Sequence, residues 1–186
     1  MRIVAGRWRG LRLAALGKGD AAAHLRPTAD RVRESLFSLL ASRHGAPEDG
    51  AHVLDLFAGT GALGLEALSR GAGHVTFVDN GRKAGALIRA NVALARAEAA
   101  CTLIARDATR LPACDGPQAT LVFLDPPYGT GLGPPALAAA RAGGWIAPGA
   151  VVMWEEAAPQ TAPEGFYVDD TRRYGDTHVT LLIAAG

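Results

Sequence analysis

The sequence predicts an α/β fold, a doubly wound and mostly parallel sheet closed at one edge by an antiparallel element. Three observations carry that prediction. From residue 50 onward, short apolar runs alternate with helix-length segments, the rhythm of parallel strands joined by helical crossovers. The last two runs, FYVDDTRRY and THVTLLIAA, are separated only by Gly175 and Asp176. Strands with so short a link must be antiparallel. The chain has 186 residues, 49% of them apolar, enough for one main domain with a sizeable core.

The opening, RIVAGRWRGLRLAAL, alternates basic and apolar residues, with Gly6 and Gly10 as turn points. It predicts a short β-hairpin, followed by a loop over residues 17–23. RPTADRVRESLFSLLASRHG predicts a helix with Thr28 as its N-cap and Val32, Leu36, Leu39 and Leu40 as its apolar stripe. Gly45 and Pro47 end it, and Arg31 and Glu34 fall off the stripe. Strands are expected over residues 52–58, 74–79, 101–107, 119–125 and 150–156, with helices over 62–70, 82–97 and 135–141. An N-terminal basic arm is assigned to residues 1–24 and the main domain to residues 25–186.

Charge is distributed unevenly. The whole chain carries a formal +1, yet residues 1–43 hold nine basic side chains against three acids, so +6 stands there and −5 over the remainder. A basic arm on a mildly acidic domain points to a polyanionic partner, commonly nucleic acid. A solubilising basic terminus is the plain alternative. Cys101 and Cys114 are too few for a disulfide framework or a zinc site. No segment reaches eighteen consecutive apolar residues, and the N-terminus lacks the apolar stretch of a secretory signal, so a cytoplasmic location is expected.

The glycine loop DLFAGTGALG, residues 55–64, joins the first parallel strand to a helix, where ligands of open α/β sheets bind. Gly59, Gly61 and Gly64 match the dinucleotide pattern GxGxxG, which tight strand-to-helix packing would also explain. Asp79 ends the second strand and suits a ribose diol, whose two hydroxyl protons one carboxylate can accept. Asp107 ends the third, within reach of an adenine amino group. Each acid alone could be a helix cap; together they point to a nucleoside lying across the strand ends. A dinucleotide and S-adenosylmethionine both carry adenosine. Asp55 suits a cationic amino group better than a pyrophosphate, and no second nucleotide-binding half is present. S-adenosylmethionine is therefore the expected cofactor.

The fourth strand ends in FLDPPYG, residues 123–129. Proline donates nothing to a ladder, so the strand stops there, and the two prolines stiffen the corner. An amino nitrogen on a base is a poor nucleophile because its lone pair is delocalised. Acceptors for both N–H bonds would favour a tetrahedral nitrogen. Asp125 can supply one acceptor and the Pro126 carbonyl the other, with Pro127 holding the turn and Tyr128 stacking on the base. A simple Asx-Pro turn with an incidental tyrosine is the competing reading.

DLFAGTGALG, Asp79, Asp107 and DPPY together resemble the class I S-adenosylmethionine-dependent methyltransferases that modify amino nitrogens. RIVAGRWRGLRL, RPTADRVRESLFSLL, DLFAGTGALGLEALSRGA and YGDT are similar to the RsmD family, bacterial 16S rRNA (guanine-N2)-methyltransferases. The resemblance covers nearly the whole chain. It implies a Rossmann-like seven-stranded sheet with an antiparallel last strand. It also implies Asp55, Phe57, Gly59 and Gly61 at the cofactor's methionine end, Asp79 at the ribose, Asp107 with Ala108 at the adenine, and Asn80 among the cofactor-binding residues. Asp125, Pro126, Pro127 and Tyr128 would hold the guanine amino group. Arg2, Arg7, Arg9, Arg12, Arg26, Arg31 and Arg33 would meet the backbone of 16S rRNA, free or in an assembling 30S subunit. Asn80 departs from the family, where an acidic pattern is expected, and Thr60 replaces the commoner serine.

A monomer is expected, with no membrane contact and no metal. The alternatives keep the chemistry but place it on DNA adenine or cytosine or on a protein glutamine, or leave a non-catalytic nucleic-acid-binding module. The single histidines His52, His74 and His178 are expected at edges or on the surface, and Glu155 and Glu156 at a solvated strand end. Trp8 suits RNA stacking and a hairpin core equally well. Tyr174, Arg172 and Arg173 lie at the tail turn without an assigned role.

Overall fold

The computed structural model describes residues 1–15 and 30–186. Its centre is a seven-stranded sheet made of β1 (His52–Leu56), β2 (His74–Val78), β3 (Cys101–Ile104), β4 (Ala119–Leu124), β5 (Ile146–Glu156), β6 (Phe166–Tyr174) and β7 (Thr177–Ala184). The order across the sheet is β3-β2-β1-β4-β5-β7-β6. Strands β1 to β5 pair in parallel, and β7 inserts antiparallel between β5 and the edge strand β6. Order reverses beside β1, between β2 and β4, the switch point at which open α/β sheets bind ligands.

Helices α1 (Asp30–His44), α2 (Ala62–Ser69) and α3 (Arg82–Ala95) supply side chains to one core layer, with Leu36, Phe37, Leu65, Leu68 and Ile88 against Val53, Phe77, Phe123 and Met153. Helix α4 (Gly133–Ala142) covers the opposite face, where Leu137 meets Leu54, Val122, Trp145 and Trp154. Apolar residues on both sides of the central strands are what burial on two faces demands. The rings of Phe37 and Phe123 meet edge to face, with centroids 5.6 Å apart. A cavity of about 270 Å³, lined by His44, Thr120, Ala150 and their neighbours, opens near the amino ends of β4 and β5. It lies away from the glycine loop and the prolyl corner, both at carboxyl strand ends.

Several boundaries differ from expectation. The first four strands end one to three residues early, because their final residues leave the ladder to form the loops that carry the acids. Strand β5 begins earlier than expected, with Ile146 pairing Ala119 ahead of an irregularity in the register. The N-terminal hairpin is reduced to one isolated antiparallel bridge, Arg2 to Arg12, closed by turns. Its register is held by Ile3 N–H to Leu11 O and Gly10 N–H to Ile3 O, both 2.9 Å. Thr28, Arg26 and the loop at residues 17–23 lie outside the described residues.

The arm is docked through α2, an unusual helix in that all eight residues are buried, including Glu66 and Ser69. The Glu66 carboxylate accepts from Val4 N–H at 2.8 Å and Ala5 N–H at 3.0 Å. It also pairs with Arg70 at 2.8 Å and with buried Arg33 at 3.5 Å. Ser69 completes the clasp, accepting from Trp8 N–H and donating to Ala5 O. Gly6 sits at φ +79°, and a Cβ there would fall 1.8 Å from the Ser69 carbonyl oxygen, so only glycine allows this approach.

Candidate active site

Every acid singled out for the cofactor stands at the carboxyl end of a parallel strand. In the glycine loop, Phe57 adopts the left-handed conformation at φ 60°, a strained backbone for an aromatic residue and of the kind found at binding loops. Gly59 and Gly61 are also left-handed, at φ 57° and 75°. Gly64 has a different job. A Cβ there would stand 2.4 Å from the Phe77 ring and 2.7 Å from Val75, so this glycine lets α2 lie close on β2.

The carboxylates tie the loop together. Asp79 accepts from Gly59 N–H at 2.9 Å and from Gly81 N–H at 2.7 Å, one bond to each oxygen. Asp107 caps a short 3₁₀ turn, accepting from the Thr109 backbone N–H at 2.9 Å and its hydroxyl at 2.8 Å. Those two bonds hold its carboxyl below the usual carboxylate range. A carboxylate oxygen has two acceptor sites, so Asp79 and Asp107 keep capacity for a diol and an amino group. Asn80 is exposed beside Asp79, and Ala108 is buried beside Asp107. The set fits the polar edge of adenosine.

Asp55 is buried, and its Oδ2 accepts from Gly64 N–H at 3.0 Å. Burial, then the nearby Asp125 and Asp79 carboxylates, push its carboxyl up to about 8. Asn91, wholly buried on α3, was not legible as a site residue. Its Nδ2 donates to the carbonyls of Thr60, at 2.8 Å, and Ala14, at 3.1 Å, while its Oδ1 accepts from Ala14 N–H at 2.7 Å. One amide thus fastens the glycine loop to the end of the basic arm. A polar residue among the apolar positions of α3 was the only available signal.

The prolyl corner completes the row. Asp125 N–H still reaches Leu56 O at 3.4 Å, so its backbone continues the β4 ladder before Pro126 breaks it. Beyond Pro127 the chain turns back, with Thr130 donating to the Pro127 carbonyl from both its hydroxyl, at 2.6 Å, and its backbone, at 3.3 Å. Among the described residues nothing donates to the Asp125 carboxylate or the Pro126 carbonyl. Two acceptors without a protein donor therefore stand at one corner, Asp125 partly exposed and Pro126 buried. Tyr128 is 36% exposed, and its hydroxyl meets Thr177 Oγ1 at 3.1 Å, which holds the ring by its far end.

Glu155 and Glu156 correct an expectation. They are 2% and 6% exposed, not a solvated strand end, because β7 pairs with β5 out to Glu156. Glu156 accepts from Gly129 N–H at 2.9 Å and Ala157 N–H at 2.7 Å, bracing the exit of the corner. Burial, then Glu155, then Glu156 raise the Asp125 carboxyl well above its ordinary value.

The basic residues divide. Arg2, Arg7, Arg9, Arg12 and Arg31 are exposed, and Arg7 lies over the Trp8 ring at 4.1 Å. Arg33 is wholly buried, paired with Asp30 at 2.9 Å and with Glu66, and it donates to the Arg2 carbonyl. It cannot meet a nucleic-acid backbone; it holds the arm against α1. Position within the helix did not reveal this, since Glu66 and the Arg2 carbonyl, which bury it, lie on other elements.

A glycine loop and strand-end acids on one side of the switch point, with an open prolyl corner on the other, define a Rossmann-like methyltransferase of class I. The family model described as Conserved hypothetical protein 95 matches residues 1–183. The ribosomal RNA small subunit methyltransferase D of Escherichia coli K12 is 37% identical over 155 residues, covering 83% of this chain and 74% of that protein. The chain belongs to this family. The putative rRNA methyltransferase YlbH of Bacillus subtilis is 38% identical over 131 residues, 69% of this chain and 67% of that one. A solved structure of the putative methyltransferase yhhF from Escherichia coli superimposes with a TM-score of 0.82 at 33% identity, covering 100% of this chain and 98% of that one. Among the described residues, no helix is long and apolar enough to cross a membrane.

Proposed function

We propose that the protein transfers a methyl group from S-adenosylmethionine to the exocyclic N2 amino group of a guanine in 16S rRNA, free or within an assembling 30S subunit. The observation that carries the reading is the pair of acceptors at the corner that receive no donor from the described residues, the Asp125 carboxylate and the Pro126 carbonyl. The small-subunit rRNA substrate is supported by the name of the Escherichia coli relative and by the exposed arginines of the arm.

S-adenosylmethionine supplies a methyl group made electrophilic by a positively charged sulfur. Asp79 is assigned to the ribose, Asp107 and Ala108 to the adenine, Asp55, Phe57, Gly59 and Gly61 to the methionine end, and Asn80 to the cofactor beside Asp79. Asp125 and the Pro126 carbonyl each accept one amino hydrogen, so the nitrogen lone pair leaves the ring system and becomes available for attack. The N–C bond would form as the methyl–sulfur bond breaks, leaving S-adenosylhomocysteine, and the Asp125 carboxylate would stabilise the positive charge on nitrogen until one N–H proton passes to solvent. Pro127 fixes the turn and Tyr128 stacks on the base, so catalysis depends largely on positioning. Arg2, Arg7, Arg9, Arg12, Arg26 and Arg31 are assigned to the RNA backbone.

The test offers labelled S-adenosylmethionine with 30S particles, naked 16S rRNA, duplex DNA or release-factor protein. Label is expected on rRNA, and nucleoside analysis should recover N2-methylguanosine. Label on DNA or protein alone would overturn the proposal.

A further inference from the structure

We infer that Glu155 is a specificity-determining residue, its carboxylate accepting the N1–H of the guanine whose amino group is held by Asp125. The inference rests on the N2 reading above. It starts from the register of β4 and β5, in which Leu124 lies beside Trp154. The next residues, Asp125 and Glu155, are therefore neighbours, and on the side of β1 the Asp125 N–H still reaches Leu56 O, so the β4 backbone has not yet left the sheet. Neighbouring strands are about 4.8 Å apart. Side chains two apart share a face, so Asp125 follows Leu121 and Phe123, and Glu155 follows Val151 and Met153. Those four apolar residues share one core layer. The two carboxylates thus stand side by side on the same face of the sheet.

Their chemistry matches one base edge. Guanine presents two adjacent donors, N1–H and N2–H, pointing the same way. Adenine and cytosine place a lone pair on the ring nitrogen beside their amino groups, where a carboxylate would face an acceptor. Glu155 would thus reject those bases by repulsion while pairing with guanine. Glu155 outranks Glu156 among the charges that raise Asp125, in keeping with its place beside it. Glu156 is excluded from the role: it follows Trp154 towards the α4 layer, and its oxygens accept from Gly129 and Ala157. The acids form no group able to hold a metal ion among the described residues. Glu155 has a further interaction within the protein, and a carboxylate with two oxygens can keep it while receiving a base edge.

The experiment first maps the methylated guanine with the wild-type enzyme. That guanine is then replaced by 2,6-diaminopurine in a synthetic segment ligated into the same RNA, assembled into particles where the wild type requires them. Diaminopurine keeps the 2-amino group but carries an acceptor at N1. Wild-type enzyme should prefer guanine by about 100-fold or more. Glu155→Gln, whose carboxamide can donate to N1, should move that ratio at least about tenfold towards diaminopurine while cofactor affinity is unchanged. A wild type that methylates both bases equally would overturn the inference, even if the variant failed to fold. So would a folded Glu155→Gln with the parent's base preference. Methylation at a position other than guanine N2 would instead sink the reading on which the inference rests.

Discussion

The two halves of the site are built from the same material, carboxylates at the ends of parallel strands, and they treat it in opposite ways. On the adenosine side, Asp79 and Asp107 are met by backbone N–H groups within 2.9 Å, and Asp107 is held below the ordinary carboxylate range. On the acceptor side, Asp125 receives no donor from the described residues and is crowded by Glu155 and Glu156, which drive its carboxyl upward. The first half is satisfied before any ligand arrives. In the second, under the function proposed above, an incoming base would supply the missing donors, and the like-charge repulsion that burial magnifies would become a preference for them. A finished cradle holds what is always the same; an unfinished one can discriminate.

The largest effect should come from the unfinished side. Asp125→Ala is expected to lower kcat by about two to three orders of magnitude, the range for losing one preorganised electrostatic contact, with cofactor affinity near that of the parent. Single-turnover kinetics and calorimetric titration of the cofactor separate the two. Equal losses in both would erase the distinction between the halves. Asp79→Ala should do the reverse. Losing the ribose contact and both amide ties should weaken cofactor binding at least about tenfold, some 1.4 kcal/mol, with a smaller change in rate at saturation. A fall confined to kcat would refute the cradle.

The smallest effect concerns Asp55, which sits between the halves. Its carboxyl rises from 3.8 in the unfolded chain to about 8, chiefly through burial. The folded state therefore holds a proton that the unfolded state has lost, so stability falls as pH climbs from about 4 and the loss is complete above 8. Asp55→Asn removes that dependence while keeping an acceptor for Gly64 N–H. Its melting temperature relative to the parent should rise between pH 6 and pH 9, by about 3 °C for each kcal/mol relieved. A pH-independent difference would show that Asp55 is ionised throughout. At pH 7, an ammonium group arriving beside Asp55 should release a proton, readable as a buffer-dependent binding enthalpy.

How far the site was legible depends on whether its parts are local. The glycine loop, Asp79, Asp107 and the DPPY corner could be read in order, because each sits at a strand end that periodicity locates. The parts missed join elements distant in sequence. Glu66 gives no signal within its own apolar helix, and only the fold gathers Val4, Ala5, Arg33 and Arg70 around it. Arg33 reads as a nucleic-acid contact for the same reason. Asn91 binds Ala14, 77 residues away, to Thr60 in the glycine loop. A solvated Glu155 is the sequence expectation because β7, which pairs alongside it, arrives from the far end of the chain.

By itself, the sequence determined the alternation of strands and crossovers, the antiparallel return at Gly175 and Asp176, the loop, and the acids that end the strands. Those follow from backbone chemistry and hydrophobic period, which act over a few residues. Tertiary structure decided which charges are buried, which acids are satisfied and which are left open. Desolvation and hydrogen-bond pairing depend on what packs alongside, and neighbours in space are set only when the sheet has closed.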